Sequence, residues 1–475
     1  MKTYELTVGL EVHVELATKT KIFCSCPTAF GAPPNTQCCP VCMGLPGSLP
    51  VLNRHAVELG MMAGLALNCE ISRQCRTDRK QYFYPDLPKA YQISQEGAPI
   101  CTNGALTVTL ADGSEKRIGI SRIHVEEDAG KLIHEGNSTL IDCNRCGVPL
   151  IEIVSAPDMH SGEEAVAYLK SLRAILVSCG ISDCRMQEGS MRCDVNISVR
   201  ELGSETLGVR TEIKNVNSFA FVEKAIRYEF ERQIALLEQG ETILSETRRY
   251  DEGKGTTVRM RVKESAEDYR YLSETDLLPW CPTEEDIDRL RALIPELPRA
   301  RADRMKAQYG IPSSAVDILL GDLAMADYFE EAAKGARYPE TLVNLLLTDL
   351  SRFCSSDPFV APVAPARLRE LSEMMGNRTV NSATAKKLLT RLCEKDFSPT
   401  EAVEREGLSQ ICDRALLVSL AERAILEMAK AAEDYRSGKT AALKALLGKM
   451  MALSQGRADP EMSETVLLEQ LNRKE

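Results

Sequence analysis

Aromatic residues are scarce in this chain, at 5% with a single tryptophan, and only five of its 475 residues are histidine. No apolar run approaches the roughly 18 residues that cross a bilayer, and residues 1–6 hold no apolar stretch of the signal-peptide kind. Positive charge is also in deficit. A net charge of −11 excludes indiscriminate nucleic-acid binding, so a nucleic-acid partner must be gripped by local basic patches. There is no fixed-period repeat and no low-complexity tract. A Walker A loop is missing too. Ser437-Gly438-Lys439-Thr440 ends like one, but the first glycine position holds Glu433, and 431–436 reads as helix. Cysteine alone is plentiful. Seventeen of them, an odd number scattered over a large chain, argue against a disulfide framework and for a reducing, cytoplasmic setting.

The strongest positive signal is period-two alternation. In 6–16, Leu6, Val8, Leu10, Val12, Val14 and Leu16 share one face, and Glu11, His13 and Glu15 line the other. Neighbours at i and i+2 are about 7 Å apart, so two carboxylates flank an imidazole. That set suits a divalent cation or a phosphoryl-transfer site. Other segments repeat the pattern: Arg192, Asp194, Asn196 and Ser198 alternate with apolar residues, as do Arg122, His124 and Glu126 before Glu127-Asp128. Glu152 interrupts an apolar run, and Arg210, Glu212 and Lys214 share a face. Several strands with one apolar and one charged face describe an antiparallel sheet packed on one side and open on the other.

A chain of 475 residues exceeds one core and should hold two or three domains. Residues 1–292 are strand-rich, interrupted by amphipathic helices at 161–178 and 219–239. Prolines 279, 282, 295 and 298 mark a change of character. Helical spacing follows at 341–353, 365–375 and 381–393, the last capped by Asn381 or Ser382. The expected fold is therefore α+β: a sheet domain at 1–292, a helical domain at 293–404 and a small helical tail at 405–475.

Two thiol pairs, Cys24-x-Cys26 and Cys39-Pro40-Val41-Cys42, can supply four tetrahedral sulfur ligands from two turns. Such a site has no open position, so the zinc is structural. Cys38 competes with Cys39, and the CxxC spacing favours Cys39. Cys143 and Cys146 also form a CxxC but have no second pair nearby. His13-Val14-Glu15 followed by Cys39 and Cys42 imitates the signature of zinc deaminases. The proline lies inside the cysteine pair, however, and Cys24 with Cys26 already completes the thiolates. The segment 78–86 mixes Arg79 and Lys80 with Tyr82, Phe83 and Tyr84, cations for phosphates beside rings that stack bases or line a pocket. A second cation–tyrosine stretch runs from Arg248 and Arg249 through Arg259, Arg261 and Lys263 to Asp268, Tyr269 and Tyr271.

These segments together resemble one family, the B subunit of the tRNA-dependent amidotransferase. The resemblance is carried by GLEVHVEL (9–16), CPVCMGLPGSLPVLN (39–53), DRKQYFYPDLPKAYQISQ (78–95), HVEEDAGK (124–131) and GVPLIEIVSAPD (147–158). MRCDVNIS (191–198), EIKNVNSF (212–219) and ETRRYDEGKGTT (246–257) continue it, and the end of the chain is similar to the family's small helical tail. The resemblance implies that ATP phosphorylates the side-chain carboxylate of Glu-tRNA(Gln) or Asp-tRNA(Asn). Ammonia from a partner amidase, the A subunit of a heterotrimer that also holds a small C subunit, then displaces the phosphate. The chain itself shows no Ser-cisSer-Lys pattern and no Gly-x-Cys-x-Gly elbow for making ammonia. With no Walker loop, Mg²⁺ must be held by side chains. The expected shell is Glu11, His13, Glu126 and Glu152, with Glu127 and Asp194 in reserve and Arg79 and Lys80 facing phosphates. A competing expectation is a non-catalytic, zinc-containing scaffold that only positions tRNA, which would have no use for converging carboxylates.

Overall fold

Strand β1 (Tyr4–Glu15) is the spine of the N-terminal part, and its apolar face is buried along its whole length. The computed structural model describes residues 3–262, 269–356 and 359–473. Lys263 and Asp268 lie outside the described residues. The chain divides into two units, Met1–Pro298 and Arg299–Glu475.

In the first unit, α1 (Arg54–Ala66) and β2 (Glu70–Ile71) follow β1, then β3 (Asp78–Gln81), β4 (Tyr91–Ser94), β5 (Cys101–Thr109) and β6 (Glu115–Glu127). A hairpin of β7 (Lys131–Glu135) and β8 (Ser138–Asp142) leads to β9 (Pro149–Ser155) and α2 (Gly162–Ser178). Next come β10 (Met191–Glu201), β11 (Thr211–Lys214), α3 (Phe219–Glu238), β12 (Glu246–Asp251), β13 (Thr256–Val262), β14 (Leu272–Ser273) and α4 (Glu284–Leu293).

Nine strands form one sheet in the order β13-β12-β11-β10-β1-β9-β6-β5-β2. Every pairing is antiparallel except β11 with β12. That pair runs parallel because α3 connects its strands, and a helical crossover returns the chain in the same direction. The apolar face packs under α1, α2 and α3, as in the contacts of Tyr168, Leu172 and Val222 with the strand core. Helix α1 lies very close, because a Cβ at Gly64 would collide with the Cys101 sulfur. Ser161 and Ser218 cap α2 and α3, each accepting a hydrogen bond from the third residue beyond it. A small sheet, β14-β3-β4, docks on β6: the Gln92 side chain donates to the Glu127 carbonyl at 2.7 Å, and Val125 N–H donates to Gln95 Oε1 at 2.9 Å.

The second unit is helical: α5 (Pro298–Tyr309), α6 (Ser313–Leu320), α7 (Leu323–Ala333), α8 (Pro339–Asn344), α9 (Pro365–Gly376), α10 (Ser382–Glu394) and α11 (Pro399–Glu406). Helices α12 (Arg414–Glu427), α13 (Ala429–Arg436), α14 (Ala442–Leu453) and α15 (Pro460–Asn472) complete it. The expected helix at 341–353 is broken in kind, since α8 passes into a π turn (Leu345–Asp349) and a 3₁₀ turn (Leu350–Phe353). Asn381 is the cap of α10, accepting from Thr384 N–H at 2.9 Å. One core runs from Met305 to Val403 and another from Leu417 to Leu471. Helix α13 occupies the place where a phosphate loop would need a strand. The α+β expectation holds, and no helix among the described residues is long and apolar enough to cross a membrane.

Candidate functional site

Register assembles the charged face. His13 on β1 lies opposite Glu152 on β9, which lies opposite His124 on β6, so the three form a row across the sheet. Glu152 Oε2 is 3.4 Å from His13 Nε2 and 3.2 Å from His124 Nε2. Glu126, two residues along β6 from His124, closes the group at 3.5 Å from His13 and 3.6 Å from His124. The Ser94 hydroxyl donates to Glu126 at 3.3 Å.

Burial opposes charge in this cluster, and the mutual contacts win. His124 is lowered by burial but lifted further by both carboxylates, to about 9, and His13 is raised for the same reasons. Burial pushes Glu152 up, yet hydrogen bonds and charge from His124 and His13 hold it well below the usual carboxylate range. Donor atoms of His13, Glu126 and Glu152 all lie within 4.8 Å of one another. Neighbouring ligands of an octahedral ion with bonds of about 2.1 Å sit about 3 Å apart. The two His13–carboxylate separations are within a few tenths of an ångström of that spacing, and one imidazole with two carboxylates is a donor set that fits Mg²⁺.

Glu11 belongs to a different set. It lies opposite Asp194 on β10, and its carboxylate groups with those of Asp194 and Glu212. Lys214 sits among them, with Nζ 2.5 Å from Asp194 and 3.3 Å from Glu212. The Asn196 amide donates to Glu11 at 2.8 Å, and the Thr247 hydroxyl donates to Glu212 at 2.9 Å. The third acid of the β1 face, Glu15, is pushed up to about 7, first by burial and then by the charge of Asp128.

Arg79 is paired with carboxylates outside these two sets. Its guanidinium forms two 2.7 Å bonds to the fully buried carboxylate of Glu274 and a 3.0 Å bond to Asp276, over the ring of Tyr91. Lys80, the next residue, carries its ammonium 4.9 Å from the Tyr269 ring centre and 5.9 Å from that of Tyr82. Glu127 faces the reverse side of β6, held by Lys89 at 2.7 Å and by the Ile93 N–H at 2.9 Å. It lines a cavity of about 100 Å³ with Lys21, Lys89 and Tyr91. Sequence reasoning assigned no site role to His124, Glu212 or Lys214, although each already stood on a charged strand face.

Cys24, Cys26, Cys39 and Cys42 converge, with all four sulfurs within 4.8 Å of one another. A tetrahedral zinc with 2.3 Å bonds requires sulfurs about 3.8 Å apart, and Cys39 and Cys42 lie at 3.9 Å. The hydrogen bond from Cys24 draws the Cys42 thiol down to about 4, while Cys26 is pushed up to about 11, first by burial. Cys42 Sγ also accepts the Cys39 N–H at 3.1 Å, the backbone support typical of a metal knuckle. The set fits zinc. Cys38 turns toward Asn144, and Cys143 and Cys146 stand outside the four-sulfur group.

The α+β scaffold thus presents an acid-lined sheet floor carrying two sets of candidate cation ligands. Residues 6–288 match the family model described as the GatB/GatE catalytic domain, and residues 327–471 match the one described as the GatB domain. Over 99% of both chains, this protein is 47% identical to the B subunit of the aspartyl/glutamyl-tRNA(Asn/Gln) amidotransferase of Caldicellulosiruptor saccharolyticus. It is 46% identical to the B subunit numbered 1 of Clostridium acetobutylicum, again over 99% of each. A counterpart from Caldanaerobacter subterraneus subsp. tengcongensis is 47% identical over 99% of this chain and all of its own length. The chain belongs to this family of amidotransferase B subunits.

Proposed function

We propose that this chain is the kinase and amide-forming subunit of an ATP-dependent tRNA amidotransferase, a carbon–nitrogen ligase. Its substrates are Glu-tRNA(Gln), Asp-tRNA(Asn) or both. A side-chain carboxylate oxygen of the esterified amino acid attacks the γ-phosphorus of ATP, and ADP leaves. Ammonia nitrogen then attacks the carbonyl carbon of the acyl phosphate, loses a proton, and phosphate departs. The convergence of His13, Glu126 and Glu152 carries this reading, because phosphoryl transfer without a Walker loop needs side chains to hold its cation.

His13, Glu126 and Glu152 would hold Mg²⁺, with His124 orienting Glu152, and Glu11, Asp194 and Glu212 would form a second acidic set across the sheet. When bound, the ion neutralises charge on the transferring phosphoryl group. Lys80 faces the nucleotide phosphates, and Arg79, bound to Glu274, anchors the strand that presents it. The ammonia comes from a partner amidase, the A subunit, held with a small C subunit, in keeping with the relatives' designation as B subunits. The polar cavity behind β6, one residue removed from Glu126, supports a route for it. Zinc at the four cysteines is structural. The tail at 405–475, following a catalytic domain at 1–292 and a helical domain at 293–404, binds tRNA. The assembly works in the cytoplasm.

The test is Glu152→Gln in the reconstituted complex. Expected is a loss of at least about 100-fold in tRNA-dependent ATP cleavage and amidation, with the amidase of the partner still turning over glutamine. Near-normal amidation would remove the assignment and favour the scaffold reading.

A further inference from the structure

The loop between β3 and β4 exposes two aromatic side chains at the mouth of the charged face: Phe83 is 80% exposed and Tyr84 54%. Neither is isolated from the site. The Tyr84 ring stands edge-on to Tyr82 at 5.9 Å, Tyr82 to Tyr269 at 6.0 Å, and Tyr269 to Tyr271 at 6.3 Å. The inner rings feel the carboxylate cluster, since burial comes first in raising Tyr82 and Tyr271 and the charge of Glu126 adds to both. Pairing of β14 with β3 is what brings the second tyrosine segment beside the first. The result is a file of rings running from solvent toward Glu126 and Glu152, with the Lys80 ammonium seated over its middle.

Water-exposed Phe and Tyr beside a lysine on an acidic protein have one fitting occupant here. Unpaired bases stack on aromatic faces regardless of their identity, while an adjacent cation meets their phosphates. An apolar protein segment laid on the rings would leave the Lys80 ammonium without a counter-charge. We propose that Phe83 and Tyr84 stack the unpaired bases at the 3′ end of the substrate RNA. Tyr82 and Tyr269 then guide the terminal nucleotide past Lys80, whose ammonium faces the ATP phosphates, so that its esterified amino acid reaches the His13–Glu126–Glu152 cluster. This rests on the tRNA reading above, and its test uses uncharged RNA without ATP, so it is independent of the chemistry.

Binding of two transcripts of the cognate tRNA to the full heterotrimer is compared: one intact, and one lacking its last three unpaired nucleotides. The unaltered complex should bind the intact RNA about tenfold more tightly or better. The double variant Phe83→Ala/Tyr84→Ala should bind both equally, and Phe83→Tyr/Tyr84→Phe should restore the difference. An undiminished preference for intact RNA in the alanine variant would overturn the proposal. So would loss of a partner protein from that variant with the preference kept, which would mark the patch as a protein contact. If the unaltered complex binds neither RNA, the tRNA reading itself fails.

Discussion

Glu126 and Glu127, adjacent in sequence, serve opposite sides of the same strand: Glu126 lies 3.5 Å from the His13 imidazole, and Glu127 is clasped by Lys89 at 2.7 Å behind the sheet. One peptide unit therefore separates the open charged face from the cavity lined by Lys21, Lys89 and Tyr91. Strand pleating alone imposes this division.

The neighbours Arg79 and Lys80 divide in the same way, and their variants should separate structure from chemistry. Arg79→Ala leaves the buried Glu274 carboxylate without its cation and should cost about 3 kcal/mol of stability, read as a fall in the urea midpoint. Lys80→Ala should leave the stability within about 0.5 kcal/mol of the unaltered protein, as at an ordinary partly exposed position, and raise KM for ATP. The reverse pattern would exchange the two roles.

Zinc removal should act on stability. Purified without chelator, the protein should contain one zinc per chain by elemental analysis, and Cys42→Ser should lower both zinc content and melting temperature. A zinc-free preparation with an unchanged melting temperature would dismiss the metal.

Glu246 predicts an acid limit. Its buried carboxylate meets Arg248 at 2.5 Å and Arg232 at 3.3 Å, with Arg259 also in contact, and these hold it below its ordinary value of 4.5 although burial pushes it up. A depressed carboxylate contributes stability that is complete above about pH 4.5 and lost as pH falls through the folded value. Glu246→Gln should therefore be destabilised by about 3–5 kcal/mol at pH 7 and show a flatter stability profile below pH 4.5.

In the tail, 436–457 carries five basic residues and no acid, but the folded arrangement uses most of them. Lys439 pairs with Asp434 at 2.8 Å and Lys449 with Glu427 at 2.7 Å, while Arg436 and Arg457 donate to backbone carbonyls. Lys444 is exposed and has no ion-pair partner among the described residues. Lys444→Glu should raise KM for tRNA more than Lys439→Glu and reduce the salt slope of binding by about one. Equal, negligible effects of both would discount charge in the tail.

Period-two alternation made the composition of the charged face legible: His13, Glu126, Glu152 and Asp194 were all placed on it from sequence. Their grouping was not legible, because grouping depends on register between strands more than 100 residues apart. Glu11 is two residues from His13, yet register puts it opposite Asp194 and in the group with Glu212. His124 reads in sequence as one more polar strand residue, and only the β6–β9 pairing shows it against Glu152. The pairing of Arg79 with Glu274 was not legible either, because the two lie 195 residues apart in the chain. The cysteine set was readable because its spacing is local. The parallel β11–β12 pair escaped notice because strand direction follows from how α3 packs.

Strand β1 is central in the sheet, yet its two neighbours begin only at Pro149 and Met191. During synthesis at roughly 5–20 residues per second, a fully apolar strand face waits on the order of ten seconds for either partner. The segment that carries His13 is thus, for that interval, an unpaired strand with an uncovered apolar face. The alternating Glu11, His13 and Glu15 keep its other side charged meanwhile, and charge on an unpaired strand opposes pairing with another chain.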